Sequence, residues 1–147
     1  MALPLVQDKV RELCGDGTAS LSEVVERLAE IREKPIELVE QDWDWGTLTA
    51  FKLDAEDRIK IFFPPQKSTQ YKLHCIYHEL GHIFLESLRI PVSGPTFSKE
   101  MLKEAAGAIS MSCRTVPNHP VERWVEDFAF EMSKKTRSRS SGPDPFL

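Results

Sequence analysis

The first third of the chain carries apolar residues at helical spacing, which predicts two short helices. The first spans residues 5–14 and ends at the glycine-rich turn over residues 15–17. The second begins at Ser20, where Glu23 three residues later completes the pattern of a capping box, and it ends before Pro35. Its predicted apolar face consists of Leu21, Val24, Val25, Leu28 and Ile31.

After Pro35 the pattern changes to short runs of alternating or β-branched and aromatic residues, which is typical of strands. Three runs fit this pattern, over residues 36–40, 47–53 and 58–63. The sequence DAED at residues 54–57 favours a hairpin between the second and third runs. We therefore expect a small three-stranded antiparallel sheet that packs on helices.

Three further helices are predicted in the second half of the chain. The longest spans residues 69–88, begins after Ser68 as its cap and is stopped by Pro91. A modest helix over residues 99–112 and a final helix over residues 121–134 follow. About five helices around one small sheet define an α+β fold, with the long helix at its centre.

One domain accounts for residues 1–135, and the polar segment 136–147 is expected to be a disordered tail. The chain of 147 residues has 19 basic and 23 acidic side chains, a net charge of −4. The basic residues are not gathered on one element, so direct binding to nucleic acid is not expected. Three widely spaced cysteines, no secretory leader and no long apolar stretch predict a cytoplasmic protein without membrane contact.

The long helix contains an HExxH motif, formed by His78, Glu79 and His82. Four residues advance a helix by about 400°, so the two imidazoles lie roughly 40° apart, one turn above the other. Both can then bind one zinc ion, while Glu79, about 100° around the helix, can accept a proton from water as a general base. This is the chemistry of a zinc peptidase, although the motif also occurs by chance in helices that bind nothing.

An apolar stripe runs almost opposite the two histidines. Its members are Leu73, Ile76, Leu80, Ile83 and Phe84. The histidine face is therefore predicted to lie away from the core, as a solvated face or a ligand face. Gly81 costs about 1 kcal/mol relative to Ala in a helix interior, which close approach of another backbone, a substrate or a crossing helix would explain.

The final helix offers a third zinc ligand. Its apolar stripe consists of Val121, Trp124, Val125, Phe128 and Met132. Glu122 lies about 100° from the centre of this stripe and is the preferred candidate, and Glu126 lies about 140° away. Glu126 either hydrogen-bonds a ligand or faces water. Glu131 flanks the other side of the stripe comparably closely, and all three carboxylates are also compatible with an ordinary solvated surface.

Several other side chains near the motif are weaker candidates. His74 lies one turn before His78 and either donates to a transition state or faces solvent. Tyr71 and Tyr77 carry phenols that suit a developing oxyanion, although Tyr77 lies towards the apolar flank. Cys75 is expected to be a partly buried, inert thiol. His119, beside Pro120, is expected to be structural or exposed.

The segment HELGHIFLE after a sheet, followed by VERWVEDFAFEM on a later helix, resembles the ImmA/IrrE family of small zinc metallopeptidases. The resemblance covers roughly residues 36–133. That family pairs HExxH with a helix of the type E-x-x-[AC]-N-x-F-A, and here Val125 and Glu126 replace the small residue and the Asn. The resemblance implies that His78, His82 and Glu122 bind zinc and that Glu79 is the general base.

The resemblance also implies a function in transcription regulation and stress response. Such proteins resemble regulatory proteases that cut a separately encoded helix-turn-helix repressor. The sequence therefore predicts a cytoplasmic zinc endopeptidase with a narrow protein substrate. Two alternatives stay open: a non-catalytic binding or toxin-like module with a structural or vestigial zinc site, and a metal-free helical interaction domain. A fourth protein ligand would favour the structural site.

Overall fold

Four helices and three strands form the part of the chain that the computed structural model describes, namely residues 3–42, 45, 50–65, 68–88 and 120–136. In chain order they are α1 (Val6–Cys14), α2 (Leu21–Arg32), β1 (Ile36–Glu40), β2 (Phe51–Asp54), β3 (Ile59–Phe63), α3 (Thr69–Ser87) and α4 (Pro120–Lys135). The α+β class is confirmed. The helix predicted at residues 99–112 and the tail beyond residue 136 lie outside the described residues.

The predicted starts of α2 and α3 are confirmed at the level of single hydrogen bonds. The Ser20 hydroxyl accepts from the backbone N–H of Glu23 at 3.2 Å, and the Glu23 carboxylate faces the Ser20 backbone N–H, as in a capping box. The Ser68 hydroxyl accepts from the backbone N–H of Tyr71 at 3.2 Å. On α2 the buried stripe is narrower than predicted, because Ile31 is 47% exposed.

The sheet is mixed, and the prediction of an antiparallel sheet is wrong. Its strand order is β1-β3-β2. β2 and β3 form the predicted antiparallel hairpin, in which Phe51 lies opposite Phe62. β1, however, pairs with β3 in parallel, with Ile36 opposite Ile59.

The composition of the strands explains why β3 lies in the middle. Consecutive strands are neighbours in most proteins, but here β1 and β2 are separated by β3. β3 has the sequence IKIFF, and four of its five residues are buried. A central position covers both of its edges and leaves the outer positions to β2 and to β1, whose Glu37 and Glu40 pair with Arg58 and Lys72.

Helix α4 packs against both α3 and α1. The Trp124 ring stacks on the Phe128 ring at a centroid distance of 5.2 Å, and its indole N–H donates to the carbonyl of Pro4 at 2.7 Å. Phe128 in turn meets Phe84 of α3 edge to face. These contacts fix the rotation of α4 about its own axis and so decide which of its side chains face α3.

The end of α4 is tied to the segment between α1 and α2. The backbone N–H of Ala19 donates to the carbonyl of Lys135 at 3.1 Å, and Ala19 forms a parallel bridge with Thr136. Within the described residues, no helix combines the length and the apolar character needed to cross a membrane.

Candidate metal centre

His78, His82 and Glu122 come together between α3 and α4. One potential ligand atom from each of the three lies within 4.8 Å of the others, so the group could hold a metal ion. Nε2 of His78 is 3.2 Å from Oε2 of Glu122, and Nε2 of His82 is 2.9 Å from Oε1 of the same carboxylate. The two imidazoles of one helix and the carboxylate of another thus face a common point, as the helical spacing predicted.

The apolar stripe of α4 explains why Glu122 turns inward. All five predicted members of that stripe are buried. Glu122 lies at the edge of the stripe that faces the histidines, and its side chain is 15% exposed. Glu131 lies at the other edge and pairs with Lys134 at 3.1 Å. The two flanking carboxylates are therefore distinguished by which neighbouring helix each one faces.

The histidine face of α3 is covered by α4, which the sequence did not indicate. The predicted apolar stripe of α3 is buried, but His82 is only 6% exposed as well. Gly81 makes the close crossing possible, because a Cβ atom there would lie 3.0 Å from Cδ2 of Phe128 and 3.3 Å from Cγ1 of Val125. Of the three explanations for Gly81, the crossing helix is the one observed.

The histidine and glutamate side chains of the site shift one another's pKa values. Burial alone would lower the pKa of His78, but hydrogen bonds to Glu122 and Glu126 and the nearby charge of Glu79 outweigh it and raise the pKa to about 10. Burial alone would raise the pKa of Glu122, but the imidazoles of His78 and His82 hold it well below its usual range. The carboxylate is thus ionised at neutral pH, as a metal ligand must be.

Glu126 uses both oxygens on histidines of α3. Its Oε1 accepts from Nδ1 of His78 at 2.8 Å, and its Oε2 lies 2.7 Å from Nε2 of His74. The hydrogen bonds to His74 and His78 hold the pKa of Glu126 below its usual range. Of the two roles predicted for Glu126, the contact with a candidate ligand is the one observed. A metal ion would have to displace the proton on Nε2 of His78, and the bond from Nδ1–H to Glu126 would then leave the Nε2 lone pair directed at the centre of the site.

Two buried polar atoms in the site lack hydrogen bonds within the described part of the chain. They are Nδ1 of His82 and Oε1 of Glu122. Oε1 lies close to Nε2 of His82, but the two atoms are not aligned as a donor and an acceptor. A buried carboxylate oxygen without a hydrogen bond is costly, and a shared cation would satisfy it. The residues present therefore fit a divalent ion, and two imidazoles with one carboxylate are a donor set that zinc accepts.

Glu79 lies between the two histidines along α3 and outside the three-residue group. It is 7% exposed, and its charge helps to raise the pKa of His78. A carboxylate beside a candidate metal centre is well placed for proton transfer. Its role as a general base remains a prediction.

The structure places the remaining candidates away from this centre. Tyr77 is fully buried and its hydroxyl is hydrogen-bonded to that of Thr136, which excludes it as a donor to an oxyanion at this site. Tyr71 is 43% exposed at the start of α3. Cys75 is buried, as expected for an inert thiol. His119 lies outside the described residues.

Sequence reasoning treated His74 and Glu126 separately and missed their contact. The signal was present in the spacing, because His74 is one turn before His78 and Glu126 is one turn after Glu122. When two helices bring their ligands together, residues one turn further along the same faces also become neighbours. When two packed helices each contribute a ligand, a contact between the side chains one turn beyond those ligands is therefore also expected.

Comparisons with protein families, with curated proteins and with solved structures found no match to this chain.

Proposed function

We propose that this chain is a zinc-dependent endopeptidase of the ImmA/IrrE type. The observation that carries the proposal is the convergence of His78, His82 and Glu122 on one point, with Glu79 between the two histidines on α3. Among the described residues the group has three members, and a zinc site with three protein ligands rather than four would be of the catalytic kind.

In the proposed reaction, metal binding and proton transfer belong to different residues. His78, His82 and Glu122 hold the ion, and the close crossing of α3 and α4 at Gly81 fixes the distance between their helices. Zinc, when bound, acts as a Lewis acid that makes a water molecule more acidic and polarises a carbonyl group. Glu79 accepts the proton of the attacking water and later passes it to the leaving amine.

We further propose that the substrate is one particular regulatory protein, a separately encoded helix-turn-helix repressor. This step is supported by the resemblance of HELGHIFLE and VERWVEDFAFEM to the ImmA/IrrE motifs. It predicts little activity on generic peptides.

The test is co-expression of the chain with the product of the neighbouring gene, comparing wild type with Glu79→Gln. The substituted amide keeps the size of the side chain but does not accept a proton, so we expect zinc content to be unchanged and cleavage to fall about 10²- to 10⁴-fold. Asp127→Asn serves as the matched control, because it removes the same charge from an exposed position on α4. Equal cleavage by wild type and Glu79→Gln would contradict the proposal.

A further inference from the structure

We infer that His74 is a positioning residue that acts through Glu126 on His78. The inference rests on the proposed zinc site, and it concerns how that site is held in place. The chain of contacts runs from Nε2 of His74 to Oε2 of Glu126 at 2.7 Å, and from Oε1 of Glu126 to Nδ1 of His78 at 2.8 Å. Nε2 of His78 then faces Glu122 and the centre of the group.

Glu126 needs a second contact because little else restrains it. Its side chain is 54% exposed on α4, and a glutamate with this exposure samples several rotamers. A hydrogen bond from His78 alone would hold one oxygen and leave the carboxylate free to rotate about it. The bond to His74 holds the other oxygen, so that the carboxylate bridges two successive turns of α3 in a single orientation.

The two histidines of the site are therefore oriented by different means. The side chain of His82 is 8% exposed and its Nε2 lies 2.9 Å from Oε1 of Glu122, but its Nδ1 has no partner within the described residues, so packing and not a second hydrogen bond restrains that side of the ring. The side chain of His78 is 23% exposed, so packing restrains the orientation of its ring less. The hydrogen bond from its Nδ1 to Glu126 provides the missing restraint. His74 and Glu126 thus act on the more exposed of the two histidines.

The experiment is a double-mutant cycle of zinc affinity with His74→Ala, Glu126→Ala and the double variant, measured by competition with a chelating dye. Loss of a group that orients a metal-bound histidine typically weakens binding about 10- to 100-fold, and we expect this for Glu126→Ala. His74→Ala should weaken binding about two- to fivefold, as fits a partly exposed pair. In the Glu126→Ala background the His74 substitution should have no effect, because the residue through which it acts is gone.

Two controls separate positioning from other effects. His74→Gln retains an N–H donor on a side chain of similar length and should recover most of the affinity lost in His74→Ala. Asp127→Asn removes one negative charge from the adjacent exposed position, so a purely long-range charge effect would weaken binding in it as much as in Glu126→Ala. We expect Asp127→Asn to bind zinc as wild type does.

An equal loss from His74→Ala in both backgrounds, or no loss in the wild-type background, would overturn the inference. Failure of the wild-type chain to bind zinc would overturn both the inference and the proposed function. Because the measurement is binding and not hydrolysis, a chain that binds zinc with the expected cycle but cuts no protein contradicts only the proposed function.

Discussion

At the scale of single residues, the role of a buried polar side chain depends on the groups that surround it. Tyr77 and Glu79 are two positions apart on α3 and both are buried. The Tyr77 hydroxyl is hydrogen-bonded to that of Thr136, whereas the Glu79 carboxylate lies close enough to His78 for its charge to raise the pKa of that imidazole. The first is a structural group, and the second acts on the candidate metal centre.

The structural role of Tyr77 predicts an alkaline loss of stability. Burial raises the pKa of its phenol from 10.0 to about 12. Since the ordinary value applies in the unfolded chain, the stabilisation is complete below pH 10 and is lost as the pH rises towards 12, by up to about 3 kcal/mol. In a Tyr71→Phe variant, which leaves Tyr77 as the single tyrosine, tyrosinate absorbance should therefore appear only near pH 12 or on unfolding. Ionisation near pH 10 with an unchanged circular dichroism spectrum would show that the phenol is accessible.

Residue spacing was enough to predict the three members of the metal group. The i, i+4 repeat places His78 and His82 on one side of α3, and the apolar stripe of α4 turns Glu122 towards them. Spacing within one helix did not indicate that α4 buries the histidine face, because that depends on how two helices meet. The contact between His74 and Glu126 was missed for the same reason.

At the scale of elements, the crossing of α3 and α4 controls the geometry of the candidate site. The absence of a side chain at Gly81 lets Phe128 and Val125 of α4 lie against the backbone of α3. Glu122 is one turn before Val125 and nearly two turns before Phe128, so any increase in the separation of the helices moves its carboxylate away from the histidines. Gly81 thus links packing to metal binding.

Substitution of this glycine tests the link. In Gly81→Ala the new Cβ would meet the Phe128 ring at 3.0 Å. Overpacking costs typically about 1–3 kcal/mol and helix propensity returns about 1, so we expect a net loss of about 0–2 kcal/mol and weaker zinc binding. Chemical denaturation and zinc titration measure the two effects. Gly17→Ala is the matched control, because nothing lies within 4 Å of its Cβ position. Wild-type zinc affinity in Gly81→Ala would show that the crossing does not control the site.

The helices were predicted from the sequence more accurately than the sheet. Helix ends are marked by local signals, such as Ser20 and Ser68 as caps, and both were found where expected. In the parallel pairing of β1 with β3, strands β1 and β2 follow each other in the chain but lie on opposite sides of β3. No local signal in residues 36–40 specifies such an arrangement, so the sequence indicated the strands but not their order.

At the scale of the whole molecule, residues far apart in sequence are joined by a polar cluster at the end of α3. Glu86 pairs with Lys52 of β2 at 2.5 Å and lies 3.8 Å from Arg32 of α2. Asp54 of β2 accepts from both Arg32 and Lys34. This cluster fixes one end of α3 on the sheet, while α4 covers its histidine face, so a metal ion would add a further connection between α3 and α4.

Because a bound metal ion would join α3 to α4, we expect it to stabilise the folded chain. A ligand that binds only the folded chain at 100 times its dissociation constant adds about 2.7 kcal/mol to the free energy of unfolding. We expect zinc to raise the Tm of the wild-type chain and a chelator to reverse the rise. Glu122→Ala should show little rise, because only two ligands remain in the group. An equal shift in wild type and Glu122→Ala would place the zinc elsewhere.

The bridge between Ala19 and Thr136 has a practical consequence for shortening the protein. A deletion that begins at Thr136 would remove the hydroxyl group that contacts Tyr77 and the bridge to Ala19. A deletion that begins at residue 137 would retain both. Truncated versions prepared for crystallisation or for fusion to a reporter should therefore keep Thr136 as their last native residue or extend beyond it.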